Sequence, residues 1–297
     1  AFLNSKYVAF AQLGGLVISS CLKLVFLFLG LNIVYFLAAN FVQAVIVAII
    51  LVVLYIKEAK LKFKAWNYSW SKTKELFSEG WLIYLGSIFS VIYLKIDQVM
   101  LRWLDGSEAV GVYAVAAQLS EALYFIPVAI VASAFPKLIK LKEEDHLKYK
   151  YRLQQLFDLL FILSLIVAIL MTVCSNWIVT IFFGPKYFDS ITLLNIHVWA
   201  SIFIFMRAAF SRWILIEKVV IFSVVTQGGG ALMNVLLNYL LIPRFGALGA
   251  AYATLISYAF ASLFLLVIFK KTRPIFLMML KSSISPFRYC QIKSYKL

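Results

Sequence analysis

Apolar residues run along this chain in long stretches broken by short polar joints. A helix needs about 20 apolar residues to cross a bilayer core. Eight stretches qualify: Tyr7–Gly30, Ile33–Ile56, Gly80–Leu104, Ala109–Phe135, Leu153–Cys174, Ile191–Ile216, Val219–Ile242 and Ala247–Phe269. The shorter apolar piece Trp177–Phe183 is expected to extend the fifth stretch or to lie in the interface. The joints carry residues that stop helices: Gly30 before Leu31–Asn32, Asp105–Gly106–Ser107, Gly184–Pro185, and Pro243 with Gly246. The pattern predicts an all-α, polytopic membrane bundle of about eight transmembrane helices.

Composition supports that class. The 297 residues are 64% hydrophobic and only 14% charged, with a mean hydropathy of +0.94. A soluble domain is about half apolar and about a quarter charged. A soluble fold of this length could not bury so much apolar surface. The net charge of +15 would suggest nucleic acid in a soluble protein. Here the basic residues sit between apolar stretches, so the charge describes topology and no nucleic-acid partner is expected. Cys21, Cys174 and Cys290 lie far apart, in no metal or redox spacing.

Lys and Arg also set the orientation. With the segment 57–79 on the cytoplasmic side, 22 basic residues are cytoplasmic and 3 are outside, namely Arg102, Lys186 and Arg244. Both ends of the chain are then cytoplasmic. The segment 57–79 is basic and aromatic, and reads as a linker lying on anionic lipid. The expected organisation is residues 1–56, two helices closing an N-terminal lobe; 57–79, linker; 80–270, a six-helix C-terminal lobe; and 271–297, a basic cytoplasmic tail. The chain opens at Ala1 and reads as a fragment.

Polar residues inside the spans carry the candidate chemistry, because a charge at mid-bilayer costs about 3 kcal/mol on insertion scales. Glu121 is the deepest acid. Lys95 lies at a depth within about 5 Å of it on the antiparallel neighbouring span, so the two can pair. Asp97 is two residues from Lys95, about 200° around a helix, and points the other way. Lys23 shares its face with Ser19 and Ser20 and either snorkels or lines a cavity. Arg207 either snorkels or binds an anion. Gln227, Gly230, Asn234 and Asn238 share one helical face. That stripe suits hydroxyl-rich ligands, and equally suits hydrogen bonds between helices. Pro127 is expected to kink its span. His197 reads as a satisfied polar residue. No catalytic constellation, metal spacing or cofactor loop appears.

Three stretches carry a family resemblance: IYLKIDQVMLRWLDGSEAVGVYAVAAQLSEALYFIPVAIVASAFPKL (Ile92–Leu138), FFGPKYFDSITLL (Phe182–Leu194) and ALMNVLLNYLLIPRFGALGAAYATLISY (Ala231–Tyr258). They resemble the second lobe of polysaccharide-export and O-antigen repeat-unit flippases. That superfamily also holds multidrug extruders and peptidoglycan-precursor flippases. The resemblance implies two six-helix lobes, of which this chain carries the last two helices of the first and all of the second. It implies alternating-access transfer of a polyprenyl-diphosphate-linked oligosaccharide from the cytoplasmic to the outer leaflet of a bacterial inner membrane. Lys23, Lys95 and Arg207 would then meet the diphosphate, Gln227, Asn234 and Asn238 the glycan, and Asp97 or Glu121 a coupling H+ or Na+. A glycan polymerase and a chain-length regulator are the implied protein partners. The alternatives are a cation-coupled drug extruder and a membrane-embedded glycan polymerase or ligase. Short outer loops speak against the last, and three basic residues within spans speak against the extruder.

Overall fold

The computed structural model describes residues 5–58 and 68–286. Residues 59–67 of the expected linker and 287–297 of the expected tail, with Cys290, lie outside the described residues. The chain divides into two compact units, Ala1–Thr73 and Lys74–Leu297.

The first unit is a helical hairpin of α1 (Ser5–Phe28) and α2 (Ile33–Glu58). Small residues bring its helices together. Ala11, Gly15 and Ser19 recur every fourth position and are all buried. A Cβ at Gly15 would lie 2.6 Å from Val47 Cγ2, and Ser19 Oγ donates to the Ala39 carbonyl at 3.2 Å. With no hydrophobic drive between helices in lipid, such close backbone packing is what holds them.

The second unit begins within the first turns of α3 (Trp70–Leu104), so the last ten residues of the expected linker are already helical. The span in which Pro127 is expected to cause a kink is interrupted just before that residue. α4 (Ser107–Glu121) ends in a 3-10 turn over Ala122–Tyr124, and α5 (Phe125–Glu144) resumes beyond it. The Pro127 ring crowds the carbonyl four residues back and has no N–H to give it. α6 (His146–Phe182) absorbs Trp177 into one 37-residue helix, about 55 Å long and longer than a bilayer core. The basic segment 137–152 is therefore two helix ends that meet at Asp145. The next crossing is α7 (Asp189–His197), a 3-10 turn, and α8 (Ser201–Ile216).

Among the described residues, seven helical runs are long and apolar enough to span a membrane. The last, Ile221–Ile268, holds 48 residues and would be about 72 Å long if straight. It is two crossings. α9 (Ile221–Ala259) reverses at Gly246, where φ is 56° and ψ is −136°. A Cβ on Gly249 would lie 2.4 Å from the Leu241 carbonyl oxygen, so the two arms leave the bend in contact. The eight predicted spans are thus all present. A π-helical turn, Phe260–Phe264, and α10 (Leu265–Ile268) complete the eighth.

Two larger apolar clusters form this unit's core. One joins α5, α6, α8 and α11 (Arg273–Ser283), through Leu153, Phe157, Phe205, Phe210, Ile275 and Met279. The other joins α3, α4, α7 and both arms of α9, through Leu101, Tyr113, Leu194, Ile242 and Ala250. Much of the expected tail is therefore the packed helix α11. It is held to α6 by Gln154 Nε2, which donates to the Met278 carbonyl at 3.0 Å.

Candidate functional site

α3 carries two opposite charges on opposite faces. Asp97 points into the unit and is 2% exposed, whereas the Lys95 side chain is 50% exposed. The half-turn spacing of two residues produces this division.

The Asp97 carboxylate is held by neutral donors from three helical segments. Asn238 Nδ2 donates to Oδ1 at 2.7 Å. Thr254 Oγ1 and Tyr113 Oη donate to Oδ2 at 2.6 and 2.8 Å. The network continues from Asn238 Nδ2 to Asn234 Oδ1 at 3.0 Å, and from Asn234 Nδ2 to Ser257 Oγ at 3.1 Å. Asn238 and Thr254 lie eight residues before and eight after Gly246, so the reversal of α9 brings them face to face across Asp97. Asn238 Oδ1 is buried without a hydrogen-bond partner. Carboxylate, amide and hydroxyl oxygens together form a hard-oxygen donor set of the kind small cations take. Among the described residues, no group of three or more His, Cys, Asp and Glu could hold a metal.

Lys95 meets Glu121 on the surface of the unit, Nζ to Oε2 at 2.5 Å. The pairing expected from matched depths is therefore formed. Glu121 is the last residue of α4, immediately before the 3-10 turn. Three residues on, Tyr124 Oη is buried without a hydrogen-bond partner.

The other nominated residues separate. Lys23 Nζ donates to Asn40 Oδ1 at 2.7 Å within the first hairpin. Arg207 does not snorkel. It is 7% exposed, its Nη2 donates to Thr226 Oγ1 at 3.2 Å, and its guanidinium lies 6.0 Å from the centre of the Tyr93 ring. Asn234 and Asn238, expected as glycan ligands, are fully buried, and their amides serve Ser257 and Asp97. The stripe on α9 is an interhelical polar seam, because its face meets the returning arm of the same helix. Gln227 is the exception. It lines a cavity of about 400 Å³ together with Ser87, Ser90, Ser223 and Arg212. His197 is satisfied, with Nδ1 2.6 Å from Ser120 Oγ.

Sequence reasoning missed Tyr113, Thr254 and Ser257. Thr254 and Ser257 stand three apart in a small-residue helix and look like packing residues. Counting outward from the Gly246 bend pairs them with Asn238 and Asn234, and that count is the available signal. Tyr113 offers none.

Residues 1–142 match a family model described as polysaccharide biosynthesis protein. A "probable flippase", AglR, of Haloferax volcanii is 26% identical over 204 residues, covering 66% of this chain and 40% of that protein. The chain is thus similar to polysaccharide-biosynthesis membrane proteins over its first 142 residues. An "uncharacterized membrane protein" of Methanocaldococcus jannaschii is 28% identical over 229 residues, covering 73% of this chain and 44% of that protein. The chain thus spans less than half the length of these curated relatives. No solved structure matches it.

Proposed function

We propose that the protein is a flippase, not an enzyme. It moves a polyprenyl-diphosphate-linked oligosaccharide across a cytoplasmic membrane by alternating access. The observation that carries the reading is the back-to-back placement of Lys95 and Asp97 on α3. An exposed ammonium suits a diphosphate headgroup in a site of low dielectric. The buried carboxylate behind it joins α3, α4 and both arms of α9, so a bound H+ or Na+ there changes how those helices pack. One helix then relates the state of the ion site to the position of the headgroup cation. A ligand can shift a conformational equilibrium only through its different affinity for the two states.

The remaining candidates take graded roles. Asn238 and Thr254 join Asp97 in holding the ion. Gln227, on its cavity, meets glycan hydroxyls. Lys23, paired with Asn40 in the first hairpin, is a candidate anion contact of that unit by itself. Arg207, under Tyr93, positions α8 against α9 and reaches the headgroup only if the lobe opens. The basic segments around residues 57–79, 137–152 and 270–297 face the cytoplasm. A glycan polymerase and a chain-length regulator would act on the delivered unit. The named relatives are archaeal, so the reading is of a cytoplasmic membrane and not of a bacterial one in particular.

The test uses the purified full-length protein in proteoliposomes, with a fluorescent polyprenyl-diphosphate oligosaccharide and a chemical quencher that reports its leaflet. Wild type is expected to transfer the lipid faster under an imposed H+ or Na+ gradient. Asp97→Asn should abolish the response to the gradient while lipid binding persists, and Lys95→Gln should weaken binding. Transfer that ignores both substitutions and both gradients would sink the reading.

A further inference from the structure

The Lys95–Glu121 pair presents a difficulty for a headgroup site. The cation that should meet a diphosphate is already occupied by a carboxylate 2.5 Å away. We infer that Glu121 sets the affinity threshold of the Lys95 site. It is a resident counter-ion that raises the affinity a ligand needs, so that singly charged phosphodiesters are kept off Lys95 and a doubly charged diphosphate headgroup is admitted. This inference rests on the reading of Lys95 as the headgroup cation.

Three observations support it. First, Lys95 is half exposed and lies within the candidate span Gly80–Leu104. Bilayer phospholipids are phosphodiesters with one negative charge on the phosphate, and they outnumber any lipid-linked glycan. A bare ammonium there would be covered by them. Glu121 is a tethered competitor, and a tether holds its charge at a high effective concentration. A phosphodiester that replaces it exchanges one negative charge for another and gains no Coulomb energy. A diphosphate diester brings two negative charges and more acceptor oxygens to the same ammonium.

Second, Glu121 stands where it can leave. It closes α4, and the next three residues form the 3-10 turn before α5. A rotation at that break moves the carboxylate without unwinding either helix. Third, a berth is at hand. Tyr124, one helical turn on, has a buried hydroxyl without a partner, and a displaced carboxylate could accept from it. The other ion pairs shown among the described residues, Lys140–Glu144, Lys142–Glu217 and Lys148–Asp145, gather around the α5–α6 joint and the end of α8, away from this break.

The experiment measures binding to the purified full-length protein in neutral detergent. Two synthetic probes share a ten-carbon isoprenyl chain and one N-acetylglucosamine. They are joined through a diphosphate in one and through a single phosphate in the other. Wild type should favour the diphosphate probe by about tenfold or more. In Glu121→Gln and Glu121→Ala, both probes should bind severalfold more tightly, because a resident competitor lowers every ligand's apparent affinity by the same factor, and the single-phosphate probe should become measurable. Glu121→Asp, which keeps the charge, should hold both affinities near wild type. Lys95→Gln should weaken both probes. Single-phosphate binding that is no tighter in Glu121→Gln and Glu121→Ala, with binding still lost in Lys95→Gln, overturns the role of Glu121 and leaves the headgroup reading standing. Diphosphate binding that is indifferent to Lys95→Gln overturns both. Thermal unfolding of each variant separates loss of binding from loss of fold, and either neutral variant alone decides the outcome.

Discussion

At the scale of single residues, the chemistry of α3 follows from a spacing of two. Lys95 and Asp97 are nearly neighbours in sequence and face opposite surroundings. Burial makes Asp97 depend on its neutral donors, and a buried polar group left unpaired costs far more than a hydrogen bond gains. Thr254→Val removes the 2.6 Å donor without changing shape. It should destabilise the protein by about 1–3 kcal/mol, read as a lower midpoint of thermal unfolding in detergent. A midpoint unchanged from wild type would mean that Asp97 does not rely on Thr254. Opposite charges on opposite faces were legible from periodicity alone. The identity of Asp97's partners was not, since two of the three stand on other helices more than a hundred residues away.

At the scale of elements, joints and caps organise the bundle. The four glycines with positive φ, Gly30, Gly106, Gly184 and Gly246, stand at the four predicted joints on one side of the sequence-based topology. Gly246 is the most constrained. Its backbone is unfavourable for an L side chain, and a Cβ there would lie 2.7 Å from Asp105 Oδ2. Gly246→Ala should cost about 1–3 kcal/mol and loosen the Asn238–Asp97–Thr254 contact, seen as weaker ion-dependent stabilisation.

The α5–α6 joint depends on Asp145. Its side chain caps α6 by accepting from the Leu147 and Lys148 amides. The Lys148 amide, then the Lys148 ammonium 3.1 Å away, hold the Asp145 carboxyl below its ordinary range. A depressed carboxyl stabilises the fold above its unfolded value, about 3.9, and that support is lost as the pH falls through the lower folded value. Asp145→Ala should therefore speed hydrogen exchange at the first amides of α6 at neutral pH. The difference from wild type should vanish once the pH drops below the folded value. A difference that persists in strong acid would assign the effect to helix propensity instead.

At the scale of the whole molecule, charge bias predicts which way the chain threads the membrane. Reporters fused after Glu144 and after Lys186 should lie on opposite sides, with the first in the cytoplasm. The reverse result would invert every assignment of inner and outer face while leaving the helix count untouched. Each of the two units is packed in its own way. In Ala1–Thr73 a stripe of small residues packs one hairpin. In Lys74–Leu297 large apolar side chains from α5, α6, α8 and α11 form a core. The amphipathic α11 was read as part of a charged tail because its polar and basic residues dominate the count. Its buried Ile275 and Met279 show that one face belongs to the bundle.

The sequence by itself determined the class, the eight crossings, their joints and the opposed faces of α3. These depend on local length, hydropathy and helical period, which need no knowledge of neighbours. Only the tertiary structure decided that Asn234 and Asn238 serve Asp97, that Arg207 is buried beneath Tyr93, and that a 48-residue helical run is two antiparallel arms in contact. A stripe of amides has the same spacing whether it faces a ligand or another helix. Each residue turns a helix by about 100°, so what a face meets is set by which helix packs against it. That choice is made by contacts distant in sequence.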